Sequence, residues 1–371
     1  MRTPARIRFL LAAALLLCLD ASIALAEGPS CQRNVDGLTF ESNRALVTSD
    51  YFKAAGLRCG TPDREERLAM FGPSTVEGAP ADCSDDSTNP DPSYDPGDVY
   101  VISVVVHIIM DDSCTTGVIS DRMVQSQIDI LNQDFLALAG SNGEPGVYSG
   151  IRFVLASEDP DGKPTSGITR SCNTTWFDDN GAYWNTLAWD PHRYMNLYTN
   201  TADGYLGYVP FLPANGGGAF VGGVADRVVV HWEAFGDMAP GGPPYNLGRT
   251  ATHEVGHYLG MEHTFNGGCG IAAAPGCYNT GDLVCDTEPE ASEHFSPCTD
   301  PEKCGDPDPI HNYMDYSDDA CMWEFTVEQI RRMRCTLANY RSNLYTVVSA
   351  DEIFTDGFES GNTSAWSSTS P

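Results

Sequence analysis

Three histidines and a glutamate lie at the spacing of a catalytic zinc site. His253 and His257 are four residues apart, so on a helix both imidazoles lie on one face within reach of one ion. His263 follows Gly260, which can adopt the left-handed conformation that ends a helix and turns the chain back. Three nitrogen ligands leave one coordination position open, where zinc lowers the pKa of bound water to about 7. Glu254 is then the candidate general base for attack of this water on a carbonyl group.

An ordinary buried helix is the alternative interpretation, because a short H-E-x-x-H match alone does not require a metal. Three histidines buried near an acid would then need a partner for every ring nitrogen, and a metal ion supplies those partners. The third histidine therefore favours a metal site and a hydrolase.

The N-terminal sequence has the composition of an export signal. Arginines precede an apolar run at 9–19, and small residues at 24–26 offer a cleavage site. The run is too short to span a bilayer, so we expect residues 1–26 to be a signal peptide and the product to be secreted. Cleavage leaves twelve of the thirteen cysteines, most of which should form disulfides in an oxidising compartment.

The formal net charge of −30 at pH 7 argues against nucleic acid and anionic membranes as partners, because no basic cluster offsets it. We therefore expect no nucleic-acid partner and no membrane association. Charge alone does not distinguish simple solubility from attraction of cationic substrates or calcium.

Hydrophobic patterning predicts the elements that position the histidines. The apolar, β-branched run 100–110 predicts a buried strand. Apolar residues recur at helical spacing over 124–135, behind a cap at Ser120 or Asp121. Asn246 is the expected N-cap of the zinc helix, and the whole pattern predicts an α/β sheet. Further strands are expected at 151–156, 194–198 and 227–232, and a closing helix behind a capping box at Thr326 and Gln329.

Composition divides the rest of the chain into a preface, a catalytic domain and a tail. Residues 27–98 are predicted to be a propeptide and linker that ends in a Pro-, Ser- and Asp-rich stretch. Residues 99–345 form the expected catalytic domain, in which 267–309 is a loop region held by disulfides. Residues 346–371 predict a flexible tail, with a sorting or anchoring tag as the alternative.

The zinc motif, together with the run N-Y-M-D-Y at 312–316, resembles the metzincin metalloproteases. The resemblance is closest to their pappalysin (cytophagalysin) branch, peptidase family M43, and extends over most of 100–345. It implies a metzincin-type α/β (α+β) zincin: a mixed, twisted sheet with long backing and active-site helices, followed by a loop-rich, disulfide-bonded half. It further implies a secreted zinc-dependent endopeptidase that acts on protein or peptide substrates, and we expect it to be a monomer.

The resemblance also implies roles for residues outside the zinc motif. Met314 is similar to the methionine of a tight turn that packs beneath the zinc site. Tyr316 matches a tyrosine whose phenol can hydrogen-bond the oxyanion formed during attack. In the loop-rich half the resemblance implies calcium, with a solvated acidic loop as the alternative. The candidate calcium ligands are Asp282, Asp286, Thr287 and Glu288.

Substrate recognition is implied by the same resemblance. It suggests a preference for Arg or Lys on the leaving side of the scissile bond, the P1′ position, with Asp318 or Asp319 facing the basic side chain. Related enzymes bind substrate along the edge strand of the sheet, which we place at 222–225. Connectivity of the cysteines does not follow from sequence. By analogy we expect the pairs Cys269–Cys304, Cys298–Cys321 and Cys114–Cys172, and Cys277 and Cys285 could pair with each other.

The run R-C-G-T at 58–61 resembles the propeptide cysteine of many metzincins. A Cys59 thiolate would occupy the fourth zinc position and keep the protein as a cysteine-switch zymogen. Gly60 would let the backbone approach the metal closely. The alternative is a disulfide from Cys59 to Cys31 or Cys83.

Removal of the preface would then activate the enzyme. A cut between Cys59 and Val99 would release the catalytic domain, and Arg64 and Arg67 are candidate neighbours of the cut if the enzyme activates itself.

Two other functions stay open on these grounds. A non-catalytic binding protein could retain zinc for structure, although such a site would not need Glu254. A zinc amidase acting on cell-wall peptides would use the same chemistry but would fail to cut ordinary unfolded proteins.

Overall fold

The computed structural model describes residues 33–35, 37–41, 43–71, 83–89, 91–214, 220–295, 298–299 and 302–349. The expected signal peptide, Cys31 and the tail from residue 350 onward lie outside these residues. Within this described part, none of the helices is both long and apolar enough to traverse a bilayer.

Nine strands and eight α-helices occur in the described residues. The strands are β1 (Arg33–Val35), β2 (Leu38–Phe40), β3 (Val99–Met110), β4 (Ile151–Leu155), β5 (Ile168–Cys172), β6 (Met195–Asn200), β7 (Gly207–Tyr208), β8 (Val228–His231) and β9 (Tyr345–Val348). The helices are α1 (Asn43–Val47), α2 (Asp50–Ala54), α3 (Arg64–Phe71), α4 (Asp121–Phe135), α5 (Thr174–Phe177), α6 (Trp184–Leu187), α7 (Arg249–Tyr258) and α8 (Val327–Tyr340).

A mixed sheet of seven strands forms the centre of the fold. The long strand β3 pairs in parallel with β4, β5 and β6, and β8 follows β6 in parallel. Two strands are antiparallel, β9 against β3 and β7 against β8. The apolar run of β3 is buried on most of its length, as predicted for a strand covered on both faces. The sheet continues through Val348, past the predicted domain end at residue 345.

The edge of the sheet is β7, so the expected edge strand at 222–225 is wrong. Residues 222–225 form a turn, in which Gly222 has φ +77° and donates its N–H to Asp226. A backbone bent by a positive φ cannot continue a strand. Gly207 and Tyr208 therefore provide the free edge beside the zinc helix.

The helix α7 starts two residues later than the sequence indicates. Its N-cap is Gly248, which has no capping side chain, and Asn246 does not serve as the cap. The carboxylate of Asp319 instead accepts the N–H groups of Leu247, at 2.8 Å, and Arg249, at 3.3 Å. A side chain distant in sequence therefore satisfies donors that a local cap would otherwise serve. In contrast, the predicted caps Ser120 and Thr326 are both present.

The cysteine pairs Cys269–Cys304, Cys298–Cys321, Cys277–Cys285 and Cys114–Cys172 all form, as expected. A further disulfide, Cys83–Cys335, joins the end of the preface to α8. Arg332 of α8 also donates to the carbonyl of Ser84 and the hydroxyl of Thr88. The stretch predicted to be a linker is therefore fastened to the catalytic domain.

Candidate metal centre

Three imidazoles meet at one point beneath the sheet edge. His257 Nε2 lies 3.1 Å from His253 Nε2 and 3.0 Å from His263 Nε2. The other nitrogens of two rings face main-chain carbonyls: His253 Nδ1 lies 2.7 Å from the carbonyl of Tyr313, and His257 Nδ1 lies 2.7 Å from that of Met261. A carbonyl oxygen only accepts, so these Nδ1 atoms carry the hydrogens and the Nε2 atoms are unprotonated.

This donor set fits a metal ion. Unprotonated nitrogens about 3 Å apart present lone pairs to one another, which is unfavourable unless a cation lies between them. Burial lowers the pKa of all three imidazoles, that of His257 to about 3, so the rings are neutral as ligands must be. Neutral imidazole nitrogens in a trio suit zinc.

Gly260 makes the change of direction that brings His263 to the other two histidines. Its φ is +94°, and a Cβ at this position would lie 2.6 Å from Thr336 Oγ1. Only glycine meets both conditions without strain. The predicted end of the zinc helix is therefore confirmed.

Met314 packs directly against the zinc helix, as expected of the turn methionine. It is fully buried, and its Sδ would lie 2.4 Å from a Cβ placed on Gly256. Asn312 holds the turn, because its Oδ1 accepts the Met314 N–H and its amide exchanges two hydrogen bonds with Gln329. The roles of Gly256 and Asn312 depend on these contacts and are not predicted by the sequence motifs in which both residues lie.

Glu254 is fully buried beside the three histidines, under the edge strand. Its Oε2 accepts a hydrogen bond from Thr61 Oγ1 at 3.1 Å and lies 3.5 Å from Cys59 Sγ. Its Oε1 has no hydrogen-bond partner among the described residues. Burial raises the pKa of Glu254 to about 8, although Arg58 and these two hydrogen bonds oppose the shift. A side chain on Gly207 would collide with the glutamate, since a Cβ there would lie 2.7 Å from its Cγ.

Cys59 completes a cluster of four donors. Its sulfur and one nitrogen from each histidine all lie within 4.8 Å of one another. The thiol is buried and unpaired, and Cys83 is bonded to Cys335, so the alternative disulfide from Cys59 to Cys83 is wrong. Burial, and then the negative charge of Glu254, raises the pKa of the Cys59 thiol well above its usual range. A cation at the cluster would reverse this effect, because it favours the thiolate.

The backbone around Cys59 adds to the free edge of the sheet. The Gly60 N–H donates to the Gly207 carbonyl at 2.9 Å, and the Leu206 N–H donates to the Leu57 carbonyl at 3.0 Å. We call the covering region 57–71 the prosegment. It occupies the edge that a peptide would use for strand addition.

Arg58 enters a closed pocket next to Cys59. The side chain is fully buried, donates to Thr250 Oγ1 at 3.1 Å and lies 4.8 Å above the ring of Tyr245. Its Nη2 is 4.0 Å from Asp319 Oδ1. Asp318 is half-buried and feels the charge of Arg58, but among the described residues the ion pair of the arginine is with Asp319.

Tyr316 lies at the rim of the cluster. Its hydroxyl is 3.3 Å from His263 Nε2, and its ring packs against Phe265 and Phe295. Burial raises the pKa of the phenol well above 10, so the group remains a hydrogen-bond donor at neutral pH. Its position next to a donor nitrogen suits the role suggested by the resemblance.

The candidate calcium residues separate into two places. Asp282 is buried and accepts a hydrogen bond from Thr287 Oγ1 at 2.7 Å, and both residues line a small cavity with Glu288. Asp286 lies apart, since its carboxylate accepts the Thr326 hydroxyl and the Glu328 N–H at the start of α8. Burial raises the pKa of Asp282 to about 7, which a bound cation would oppose.

The two candidate cleavage neighbours differ in accessibility. Arg64 is partly exposed and pairs with Asp86 at 2.6 Å. Arg67 is 1% exposed and forms a buried ion pair with Glu262. Recognition of the Arg67 side chain by a protease would require this ion pair to open first, so burial argues against cleavage at Arg67 in the folded zymogen.

Comparisons with known proteins agree on one family. The sequence model of peptidase family M43, described as pregnancy-associated plasma protein-A, matches residues 178–338. An extracellular metalloprotease of Pyricularia oryzae is 33% identical over 295 residues, which cover 77% of this chain and 90% of the relative. Extracellular metalloprotease 1 of Coccidioides posadasii is 34% identical over 61% of this chain and 72% of its own length.

Solved structures give the same result. The promirolysin mutant E225A of Tannerella forsythia is 29% identical, covers 77% of this chain and 96% of its own, and has a TM-score of 0.58. Mature mirolysin in complex with a cleaved peptide is 30% identical, covers 68% and 100%, and has a TM-score of 0.51. The expected mixed α/β architecture is confirmed.

Proposed function

Because this chain belongs to the pappalysin family, peptidase family M43, we propose that His253, His257 and His263 hold its catalytic zinc and that Glu254 is its general base. The protein is an extracellular zinc metalloendopeptidase that acts on protein substrates. The observation that carries the residue assignment is the meeting of three histidine Nε2 atoms beside a buried glutamate. Relatives named as metalloproteases also favour catalysis over the binding-protein alternative.

The chemistry assigned to these side chains is hydrolysis of a peptide bond. A zinc ion held by His253, His257 and His263 would polarise the scissile carbonyl and make a water molecule more acidic. Glu254 accepts the proton of the attacking water on its unpartnered Oε1 and returns it to the leaving amine. The Tyr316 hydroxyl donates to the developing oxyanion. Gly207 leaves room for the glutamate beneath the edge strand.

Latency is proposed to come from the prosegment. Cys59 occupies the fourth donor position, Thr61 binds the carboxylate of Glu254, and Gly60 pairs with the edge strand. Three requirements of catalysis, namely the open metal position, the free base and the free edge, are therefore blocked together. Gly60 suits this close approach because a Cβ there would lie 2.6 Å from the ring of Tyr205.

The site of activation is constrained by the disulfide Cys83–Cys335. A cut between Cys83 and Val99 would leave the prosegment covalently attached to α8. We therefore place the activating cut between Cys59 and Cys83, so that residues 83–98 remain with the catalytic domain. The predicted boundary at residue 98 then marks a change in amino-acid composition and not the start of the mature enzyme.

Specificity for Arg or Lys at P1′ is proposed to depend on Asp319. Support comes from Arg58, which the zymogen holds in a pocket of Tyr245, Thr250 and Asp319 next to the donor cluster. Conversion of Asp319 to Asn should lower kcat/KM for Arg-containing peptides relative to citrulline-containing ones, whereas Asp318→Asn should leave this ratio unchanged. Equal effects of the two substitutions would contradict the assignment. Because Asp319 also caps α7, a substitution there can lower the absolute rate for structural reasons. The quantity to measure is therefore the ratio of kcat/KM for the two substrates.

Calcium is proposed to bind near Asp282, Thr287 and Glu288. These residues share a cavity and offer hard oxygen ligands, and the disulfide Cys277–Cys285 closes the loop that contains Asp282. Asp286 would contribute indirectly, by joining this loop to the start of α8.

The decisive experiment compares the processed protein with its Glu254→Gln variant. Glutamine keeps the shape of the side chain but cannot accept a proton, so turnover of a peptide library should fall by about 10²–10⁴-fold while zinc content is unchanged. Glu158→Gln, at an exposed position, is the matched control and should keep full activity.

Three outcomes separate the hypotheses. Cuts in protein-derived peptides that vanish with Glu254→Gln support the endopeptidase. Cuts confined to cell-wall peptides would indicate the amidase. Full turnover of the variant would refute the assignment of Glu254.

A further inference from the structure

The prosegment contributes a second buried arginine that the proposed mechanism does not use. Arg67, on α3, is 1% exposed. Its Nη1 donates to the Pro62 carbonyl at 2.7 Å, whereas its Nη2 donates to Glu262 and lies 3.6 Å from Asp85 Oδ1. A guanidinium held in this way between two buried carboxylates occupies a site that suits a cation.

Within the described part of the chain, Arg67 is the arginine that forms ion pairs with both carboxylates, whereas the buried Arg332 interacts with their charges without an ion pair. Asp85 is 2% exposed, and neither of its oxygens has a hydrogen-bond partner there. Arg332 lies nearby but donates to two main-chain carbonyls and to Thr88 instead. A cut between Phe71 and Cys83 would remove Arg67 with the prosegment. The two buried carboxylates would then face one retained arginine, Arg332, and one buried negative charge would lack compensation, which is unfavourable.

The pair Glu262 and Asp85, here called the Glu262–Asp85 site, lies against the zinc ligands. Glu262 directly precedes His263 in sequence and is itself buried. The guanidinium of Arg67 is paired with Glu262 and therefore lies close to the catalytic centre.

Arg58 and Arg67 lie on either side of Cys59 along the prosegment. Arg58 faces Asp319, and Arg67 faces the Glu262–Asp85 site. The prosegment therefore brings one arginine before Cys59 and one after it to buried acidic groups of the region that it covers. Cys83–Cys335 keeps Asp85 on the catalytic domain after a cut that precedes Cys83.

We propose that the Glu262–Asp85 site is a second cation-binding subsite of the substrate cleft, which receives an arginine or lysine side chain of the substrate once the prosegment has left. This inference rests on the proposed function, because it requires that the prosegment cover the cleft. The ligand is a guanidinium or an ammonium group, on the side of the scissile bond opposite the Asp319 pocket. Arg67 mimics this ligand in the zymogen.

The first test probes the site in the full-length chain. Arg67→Ala removes the guanidinium and leaves its space, so millimolar methylguanidinium should raise the melting temperature of this variant but not of the wild type. Arg64→Ala, on the same helix but in an exposed pair with Asp86, is the matched control and should not respond. An added Glu262→Gln substitution should abolish the response. No rise in Arg67→Ala, or an equal rise in Arg64→Ala, overturns the proposal.

The second test uses enzyme processed from the full chain. If Arg67→Ala does not fold, this test is sufficient to support or refute the proposal. Peptides keep arginine at P1′ and carry either arginine or its neutral analogue citrulline at each position on the other side of the scissile bond. At one position arginine should raise kcat/KM by about tenfold or more, as expected for a buried charged contact. Asp85→Asn and Glu262→Gln should remove this gain and keep the P1′ preference, whereas exposed Asp86→Asn should keep both. Zinc content is measured in each variant, because Glu262 adjoins His263.

The outcomes distinguish this inference from the proposed function. If the processed wild type cuts no peptide, the proposed function itself is refuted. A wild type that cuts with a P1′ preference, but gains nothing from arginine elsewhere, refutes the second subsite alone. A gain that survives both Asp85→Asn and Glu262→Gln also refutes it.

Discussion

Replacement of Gly256 by alanine tests the packing beneath the zinc helix. The added Cβ would lie 2.4 Å from Met314 Sδ, and ordinary contact requires about 3.5–4.0 Å, so one of the two must move by more than about 1 Å. Such overpacking costs about 1–3 kcal/mol, and the better helix propensity of alanine offsets about 1 kcal/mol of that cost. We therefore expect a net loss of at most about 2 kcal/mol in the free energy of unfolding.

Activity should fall further than stability does. Gly256 lies between Glu254 and His257 on α7, and a displacement of about 1 Å at the reacting groups can cost about 100-fold in rate. The assay combines urea unfolding, zinc content and kcat/KM of the processed enzyme. We expect a well-folded variant that cuts peptides about 10²-fold more slowly.

A double-mutant cycle with Met314→Ala identifies the cause. Without the thioether, the alanine at position 256 has room, so its penalty should shrink, with a coupling of about 0.5–3 kcal/mol. Additive effects within about 0.5 kcal/mol would refute the argument, because they would show that the contact with Met314 does not cause the loss.

Three further predictions follow from separate parts of the molecule. Cys59→Ala in the full-length chain should raise the activity of the uncut zymogen at least about tenfold, the effect of losing about 1.4 kcal/mol of inhibition, and unchanged latency would refute a direct role of the thiol. Calcium should raise the melting temperature of the wild type but not of Asp282→Asn, and an equal rise in both would contradict the calcium site. Burial lowers the pKa of His107 from 6.5 to about 4, so the neutral ring contributes about 3 kcal/mol that is present above pH 6.5 and is lost as the pH falls towards 4. Urea unfolding across this range should show a flatter pH dependence for His107→Gln, and parallel curves would refute the assignment.

Local patterns in the sequence predicted the cluster of three histidines that the structure shows. The spacing of His253 and His257 is a property of one helix, and the turn at Gly260 depends on the backbone freedom of one residue. The buried strand β3 and the caps of α4 and α8 also follow from short segments. Such features depend on neighbours within a few residues, so they can be inferred without the fold. The disulfide pairs and the role of Met314 came from family resemblance, because their partners are distant in sequence.

The remaining features depend on contacts between distant segments. Asp319 became the residue facing Arg58, and the cap of α7, because the fold brings residue 319 beside residues 58 and 247–249. The free edge at β7 depends on the pairing of β7 with β8 and not on its own two residues.

Arg67 illustrates the same limit. In sequence it is one of two basic residues in a charged helix and a candidate neighbour of the activating cut. Burial against Glu262 and Asp85 makes it a bound cation instead. Residue types and short spacings in the sequence thus determine the chemistry of the donor set. The burial and the partners of each charged group are decided only when segments far apart in the chain pack together, because desolvation is a property of the whole fold.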